Sequence, residues 1–600
     1  MTKKVFVRIV EPIINQFPLC VFLFLLWGFD LFVSLFGPLY AYDLKVFLVN
    51  IILQPFLFFC GLFFFMYVFA SVTDLINKRW FAIFVYGIIL LLAGIKWFLH
   101  INFGIDITPT TLVLLVETNK SETLEFIQSF VITKTNLFLF LVLIGIIVFI
   151  CICEIKYRQK NYNRLKEKQH LSLFFSCIIL AMFIYSCYNA YVNWVDLVKC
   201  NDTDDLSEYQ LNTSIKNPLT EVIYSFYGVY LMNKEEISFE EMVHDFDPND
   251  VVVSGDDSLN IVLVIGESFI KHHSNLYGYS LITNPNLSKE QKSGNLFVFN
   301  NVITPYPYTS ITIKNVLCTN SLSDGEKWNK SLFFPLLFKS AGFDVYLWDN
   351  QKNLIENSVW AFALNSFLYN SLLVNRLYTK TNEQCYSFDE DIVESFSSME
   401  LPVKRNFVIF HLMGQHVEFK ERYPHTKEFL FFTKDSINRH ESWMTDEKRQ
   451  MIADYDNATR YNDYVMSKIF NLFRDKKSIV VYFSDHGEEV YDYRDSYGRK
   501  DDGMSHNQIK YLHEVPFVIW CSDSYCREQP ETIKRLRAAL HRPFMIDNIC
   551  QLLFHLGGVK TKYYYSDRDL ISTEFKPRKR IIVDKYDYDK VMQDEIKTKR

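Results

Sequence analysis

Five apolar runs crowd the first third of this 600-residue chain and constrain its fold more than any other feature. They cover residues 18–39, 46–72, 81–101, 137–153 and 171–192. About 20 apolar residues cross a bilayer, and the run at 137–153 is the shortest of the five. A segment in lipid must satisfy its own backbone, so each run is predicted to be a helix. The first is too long for a signal peptide and lacks a small-residue cleavage site, so it reads as a retained span. Asp30, within that span, is costly in lipid and is expected to face protein or a cavity.

The basic residues orient these spans. Lys3, Lys4 and Arg8 precede the first; Lys78 and Arg79 follow the second; six Lys and Arg residues separate the fourth from the fifth. The alternate loops are poor in them. The N-terminus is therefore expected in the cytoplasm, with everything after residue 195 on the outer side. Three regions are expected: a five-span helical membrane domain at 1–195, an interfacial linker with an amphipathic helix at 196–257, and a catalytic domain at 258–600. A net charge of −6 leaves no footprint for nucleic acid. Six of the twelve cysteines lie in the outer part, where an oxidising compartment permits disulfides. Cys521 and Cys526 are the best local pair.

Beyond residue 200 the composition becomes that of an ordinary globular domain. Four short apolar runs end on polar residues: "NIVLVIGES" at Glu267, "GFDVYLWDNQ" at Asp349, "NFVIFHLMGQH" at His416 and "SIVVYFSDHGEE" at Asp485 and His486. Continuous β-rich runs separated by helical segments such as "SLFFPLLFKSA" predict an α/β domain, its mostly parallel sheet sandwiched by helices. Ligands bind outside the carboxyl ends of such strands. Glu267, Asp485, His486 and His416 would all reach that edge. Two carboxylates and an imidazole suit Zn²⁺ or Mn²⁺, and three protein ligands leave a position open for chemistry. The competing reading of each acid alone is a helix cap.

Ser268 does not make a nucleophile elbow, because Gly266-Glu267-Ser268-Phe269-Ile270 lacks the second glycine. His272 and His273 read as a polar helix face. "ITPYPYTSIT", at 303–312, is a stiffened loop, since Pro305 and Pro307 forbid a regular helix or central strand. It offers four hydroxyls, on Thr304, Thr309, Ser310 and Thr312. "SITIKNVLCTNSL" reads as a helix, which puts Thr309 and Ser310 near its N-terminus. There they could cap it, or a hydroxyl could act as a nucleophile on a phosphate held by the helix end.

Taken together, "VIGESFIKHHSNLYGYSLITNPNL", "FNNVITPYPYTSITIKNVL", "FHLMGQHVEFKERYP", "YDNATRYNDYVMSKI" and "YFSDHGEEVYD" resemble the membrane-bound phosphoethanolamine transferases of the alkaline-phosphatase/sulfatase superfamily. The resemblance runs through the outer domain in order. It implies a periplasm-facing enzyme of the bacterial inner membrane with Glu267, Asp485, His486 and Thr309 around the metal and Thr309 as nucleophile. Many members have C-G-T where this chain has Pro307-Tyr308-Thr309; a P-Y-T subgroup, which includes enzymes of the lipopolysaccharide core, is more similar. It also implies two phosphoryl-binding histidines: His416, and His506 with His513 as its rival. Ser310 is left as helper or cap. In "VETNKSETLEF", Thr118 and Glu122 match a substrate-facing motif whose preceding Asn is here Leu114. The helix expected at 217–232 would lie at the membrane surface.

The activity so implied is transfer of phosphoethanolamine from phosphatidylethanolamine to a glycolipid, lipid A or core, by a monomer acting through a covalent phosphothreonine. The rivals are a phosphoglycerol transferase of the lipoteichoic-acid-synthase type, a sulfatase and a catalytically inactive sensor. A sulfatase would need a C/S-x-P-x-R motif, which is absent near residue 309.

Overall fold

The computed structural model describes residues 11–28, 54–76, 79–103, 106–109, 111–112, 134–160, 169–213, 217–255, 257–351, 368, 373–499 and 505–598. Asp30, Leu114, Thr118 and Glu122 lie outside the described residues. The chain divides into two compact units near residue 235.

The first unit is built from apolar helices: α1 (Phe17–Trp27), α2 (Gln54–Ile76), α3 (Arg79–Phe103), α4 (Lys134–Lys160) and α5 (Gln169–Lys199). Three stretches among the described residues are long and apolar enough to cross a membrane: Phe56–Ile76, Trp80–His100 and Cys177–Lys199. Phe17–Trp27 and Asn136–Phe149 are apolar but shorter. Among the described residues the five expected runs thus give three full-length helices and two shorter ones. The first expected run extends into residues outside the described ones. In α4, basic and acidic residues enter from Glu154 onward and end the apolar stretch. Leu19, Phe22, Leu23, Leu62, Val85 and Ile89 form this unit's core. Trp27 donates its indole N–H to the Ile89 carbonyl at 3.0 Å, satisfying the polar atom of an otherwise apolar ring. Lys96, buried in α3, pairs with Glu221 and lies 3.7 Å from Asp106, as a buried charge must.

Glu221 belongs to α6 (Pro218–Asp245), which extends past the expected 217–232 helix. Asn217 starts it, its side-chain oxygen accepting from the Leu219 and Thr220 amides at 3.1 Å. Ile223, Phe226 and Tyr230, spaced by three and four, are exposed.

The second unit holds a seven-stranded sheet. Its strands are β1 (Asn260–Gly266), β2 (Leu296–Phe299), β3 (Asp344–Asp349), β4 (Lys380–Thr381), β5 (Asn406–His411), β6 (Ser478–Ser484) and β7 (Phe517–Cys521). Their spatial order is β2-β7-β6-β1-β5-β3-β4. Only β7 runs against its neighbours; the other pairings are parallel. The sheet is therefore mixed, with a parallel centre.

That centre is buried on both faces. Ile261, Leu263 and Ile265 enter one core with Ile479, Val481 and Phe407. Val262 and Val264 enter the other with Val480, Tyr482 and Phe410. A strand covered twice must be apolar at every position, hence the unbroken runs. Register sets the next step: β1 and β6 end on the pair Gly266↔Ser484. The residues that follow, Glu267 and Asp485, must therefore emerge side by side.

One long helix, α9 (Asp446–Phe473), braces this edge. Asp463 on α9 accepts from the Asn286 amide at 2.9 Å and the Leu287 amide at 2.9 Å. It thereby caps α7 (Pro285–Ser293), whose own N-cap, Asn284, makes no side-chain cap bond. Cys526 donates to the Cys521 carbonyl at 3.8 Å, and both thiols are free, so the expected local disulfide is absent from the structure.

Asp463→Ala strands two buried amides, each costing about 1–3 kcal/mol. Chemical denaturation should show a loss of roughly 2–4 kcal/mol in the second unit, only partly restored in Asp463→Asn, whose one side-chain oxygen serves one of the two amides.

Candidate active site

Glu267, Asp485 and His486 are fully buried and offer ligand atoms all within 4.8 Å of one another. Two glycines allow the approach. A Cβ on Gly266 would collide with the Tyr482 hydroxyl. Gly414 has φ +49°, and a Cβ there would lie 2.8 Å from both the amide nitrogen and the carbonyl oxygen of Glu267. Ser268 is held at φ 55°, strained for a residue with a Cβ. Tyr455 holds that turn from α9, donating to the Ser268 carbonyl at 2.6 Å and accepting from the Ile270 amide at 2.7 Å. The Ser268 hydroxyl donates to Glu267 Oε1 at 2.7 Å, so it is a support for the carboxylate.

Thr309 opens α8 (Thr309–Val316). The N-cap is Tyr308, which makes no side-chain cap bond. The Thr309 hydroxyl is thus not spent on capping. It donates to Glu267 Oε2 at 2.9 Å and lies 3.1 Å from His486 Nε2. Thr304 and Thr312, both fully buried, are spent on backbone: Thr304 Oγ1 donates to the Asp485 carbonyl at 2.5 Å, and Thr312 Oγ1 to the Tyr306 carbonyl at 3.0 Å. Ser310 lies in the first turn of α8. The prolines act with the chain's C-terminal segment: Pro305 O accepts from Val583 N at 3.0 Å, and Tyr306 donates its hydroxyl to Asp584 at 2.5 Å.

The electrostatics separate the two acids. Burial pushes the Glu267 carboxyl up, but the His486 imidazole beside it, with His416 and Arg499, holds it well below its usual range. Burial and the neighbouring Glu267 carboxylate push Asp485 well above its own. Two carboxylates this close in a dry site cannot both ionise without a cation. Asp485 Oδ2 is buried with no hydrogen-bond partner, 3.2 Å from His486 Nε2. His486 Nδ1 meets the Gly487 carbonyl at 2.8 Å, which puts the proton there and leaves the Nε2 lone pair facing the acids. An orphaned carboxylate oxygen, a second carboxylate, an oriented imidazole and a hydroxyl fit a divalent cation of the zinc or manganese type.

The histidines part company. His416 lies five residues beyond the end of β5; burial lowers its pKa, and the Glu267 and Arg499 charges act on it. His506 Nε2 meets the Val591 carbonyl at 2.9 Å, at the C-terminal helix. His513 is fully buried. Its Nδ1 meets the Thr304 carbonyl at 2.9 Å, and its Nε2 has no partner. Burial, with His486 nearby, brings it down to about 4, so its ring is neutral. Asp349 faces His411 Nδ1 at 2.9 Å, supporting the edge without entering it.

Sequence reasoning missed two contacts. Gln351 donates its side-chain amide to Glu267 Oε2 at 3.1 Å and the Leu412 carbonyl at 2.8 Å. Arg499 reaches His486 Nε2 and donates to the Pro307 carbonyl at 3.3 Å. Neither has a local signal: one sits two residues past a strand, the other thirteen past His486. His273 also departs from the expected exposed face. It is buried between Asp456 at 2.6 Å and Asp492 at 2.8 Å.

These features define a sulfatase-type α/β site in a chain that also carries an apolar helical unit. A family model described as Sulfatase matches residues 259–543, and one described as Phosphoethanolamine transferase EptA/EptB matches residues 64–196. Phosphoethanolamine transferase EptC of Escherichia coli is 27% identical over 339 residues, covering 56% of each chain. Kdo(2)-lipid A phosphoethanolamine 7''-transferase of Escherichia coli is 26% identical over 277 residues, covering 45% of each. The chain thus spans about half the length of the curated relatives it matches. The integral membrane lipooligosaccharide phosphoethanolamine transferase A (EptA) of Neisseria meningitidis has the same fold, with TM-score 0.57 at 18% identity. It covers 93% of this chain and 97% of its own. The chain thus resembles the phosphoethanolamine transferases in two parts, the EptA/EptB model over residues 64–196 and the Sulfatase model over residues 259–543.

Burial lowers the His273 pKa, but Asp456 and Asp492 outweigh it and bring it up to about 10. The folded pKa is raised, so the stabilisation is complete below the unfolded value of about 6.5 and is lost as pH rises towards 10. Thermal melts should show the second unit losing stability over that window, with a flatter profile in His273→Gln.

Proposed function

We propose that this protein transfers phosphoethanolamine from phosphatidylethanolamine to an envelope glycolipid, lipid A or lipopolysaccharide core. It would act as a monomer in the bacterial inner membrane, with the outer unit in the periplasm. The observation that carries this reading is the Thr309 hydroxyl aimed at the Glu267, Asp485 and His486 cluster. The names of the relatives support the class of group transferred. The apolar helices support a lipid donor, and the exposed Ile223, Phe226 and Tyr230 on α6 suit a membrane surface.

Glu267, Asp485, His486 and Thr309 Oγ1 would hold a zinc ion, with manganese the alternative. Bound there, the metal would lower the hydroxyl's pKa and neutralise charge on the phosphoryl group. The chain's own residues do the rest. Glu267 Oε2 receives the hydroxyl hydrogen bond and orients Oγ1 towards phosphorus. The Thr309 Oγ–P bond forms as the P–O bond to diacylglycerol breaks, and the diacylglycerol oxygen takes up a proton. An acceptor oxygen then displaces Thr309 from phosphorus and restores the hydroxyl. His416 is proposed to hold a phosphoryl oxygen, with His513 as the second only in its protonated form, because its neutral ring, with the Nδ1 proton on the Thr304 carbonyl, offers only a lone pair at Nε2. His506, tied to Val591, is the weaker choice. Thr118, Glu122 and Ser310 are proposed to serve the substrate. Glu267, Asp485 and His486 are buried, so charges and dipoles there act more strongly than in water.

Thr309→Ala should reduce transfer from ethanolamine-labelled phosphatidylethanolamine by at least about a thousandfold, as loss of a nucleophile does, with melting unchanged. Retained transfer would overturn the assignment of Thr309. Label passing from glycerol-labelled phosphatidylglycerol instead would overturn the donor.

A further inference from the structure

Arg499 follows a short hairpin in which Tyr497–Gly498 pairs with Glu489–Val490. The hairpin folds the chain back after His486 and returns Arg499 to the site. Its side chain is 19% exposed. Nε lies 3.4 Å from Glu488 Oε2. Nη1 donates to the Pro307 carbonyl at 3.3 Å and also reaches His486 Nε2. The guanidinium carbon lies 5.8 Å from the centre of the Tyr308 ring. The cation is therefore strung between the acid after the Asp-His pair and the two residues before Thr309. Among the described residues, its Nη2 meets no acceptor.

A guanidinium carries five donors in a rigid fork that suits phosphate oxygens. Two features point that fork at the nucleophile. The Pro307 and Tyr308 contacts place it beside Thr309. In addition, His486 Nε2 has a single lone pair, because its Nδ1 proton is committed to Gly487. That lone pair cannot serve a metal ion and Nη1 together. A cation held by Glu267, Asp485 and His486 would release Nη1, while Nε stays tethered by Glu488.

We propose that Arg499 binds a non-bridging oxygen of the phosphoryl group that Thr309 receives. The proposal rests on the transferase reading for the identity of that group, but not for its chemistry. Glu488 and the Pro307 carbonyl position the guanidinium, and Nη1 and Nη2 supply the donors. A residue that merely braced the Glu488 loop would act on metal binding and stability. A phosphoryl ligand acts on phosphate affinity and turnover.

The test uses full-length, zinc-loaded protein in detergent. Inorganic phosphate is titrated calorimetrically, and transfer from ethanolamine-labelled phosphatidylethanolamine is followed separately. Arg499→Ala is expected to weaken phosphate binding at least tenfold and to cut kcat/KM by about 10²–10³-fold, as loss of one charge-stabilising donor does. Zinc affinity should be unchanged or tighter, with the protein still folded. Arg499→Lys should recover only part of both, because a point charge cannot reach Glu488 and the phosphoryl oxygen together. Unchanged phosphate binding in Arg499→Ala, or full recovery in Arg499→Lys, would overturn the proposal. So would a loss of zinc that accounts for the activity. If the unmodified protein moves no ethanolamine label, the transferase reading fails, while the phosphate titration still decides the role of Arg499.

Discussion

Two buried carboxylates, Glu267 and Asp485, face one another at the end of adjacent strands, and much of the second unit is arranged around that repulsion. Each would ionise readily in water. Buried together, one is held well down by His486 and the other is driven well up by burial and by its neighbour. Such a pair persists only where the fold enforces it, since separating the acids would relieve the strain. The enforcement is covalent and geometric. Parallel pairing of β1 with β6 through Gly266↔Ser484 puts the next residue of each strand at the same height. Gly266 and Gly414 remove the side chains that would otherwise block the approach.

Helix α9 converts that local arrangement into a rigid one. Successive residues of its "YDNATRYND" stretch reach different parts of the edge. Tyr455 holds the strained Ser268 turn, Asp456 meets His273, and Asn457 binds the backbone of Phe431 and Phe432. Asn462 meets the Tyr482 hydroxyl, and Asp463 caps α7. The stretch thus supports the site without contributing a ligand atom to the Glu267, Asp485 and His486 cluster. Its polar residues are buried because each has a partner, and in a dry interior each partner is needed.

How much of this is legible in the sequence depends on how local each cause is. The apolar spans, the doubly buried strands and the acids that follow them can be read directly, because burial on both faces forces unbroken apolar runs. Of the five expected spans, three are full-length apolar helices among the described residues, and the described part of the other two runs is shorter. The role of Thr309 is only half legible. Composition offers four hydroxyls in one loop, and the resemblance singles out one. The geometry shows why its neighbours differ: Thr304 and Thr312 are committed to carbonyls, while Thr309 faces Glu267 and His486. His273 illustrates the opposite case. Its two acids lie more than 180 residues away along the chain, so an apparently exposed histidine becomes a buried charged bridge.

The sequence alone determined that the chain has an apolar helical part and an α/β part, and that acids and an imidazole end its central strands. These follow from short-range rules of burial, propensity and spacing. Only the tertiary structure decided which of those groups meet. Strand order, register and the return of the Tyr497–Gly498 hairpin join residues distant in sequence. They bring Arg499 to Thr309, leave His506 at Val591, and bury His513 with one free nitrogen. The physical reason is that a buried polar group is defined by its partners, and those partners come from elsewhere in the chain.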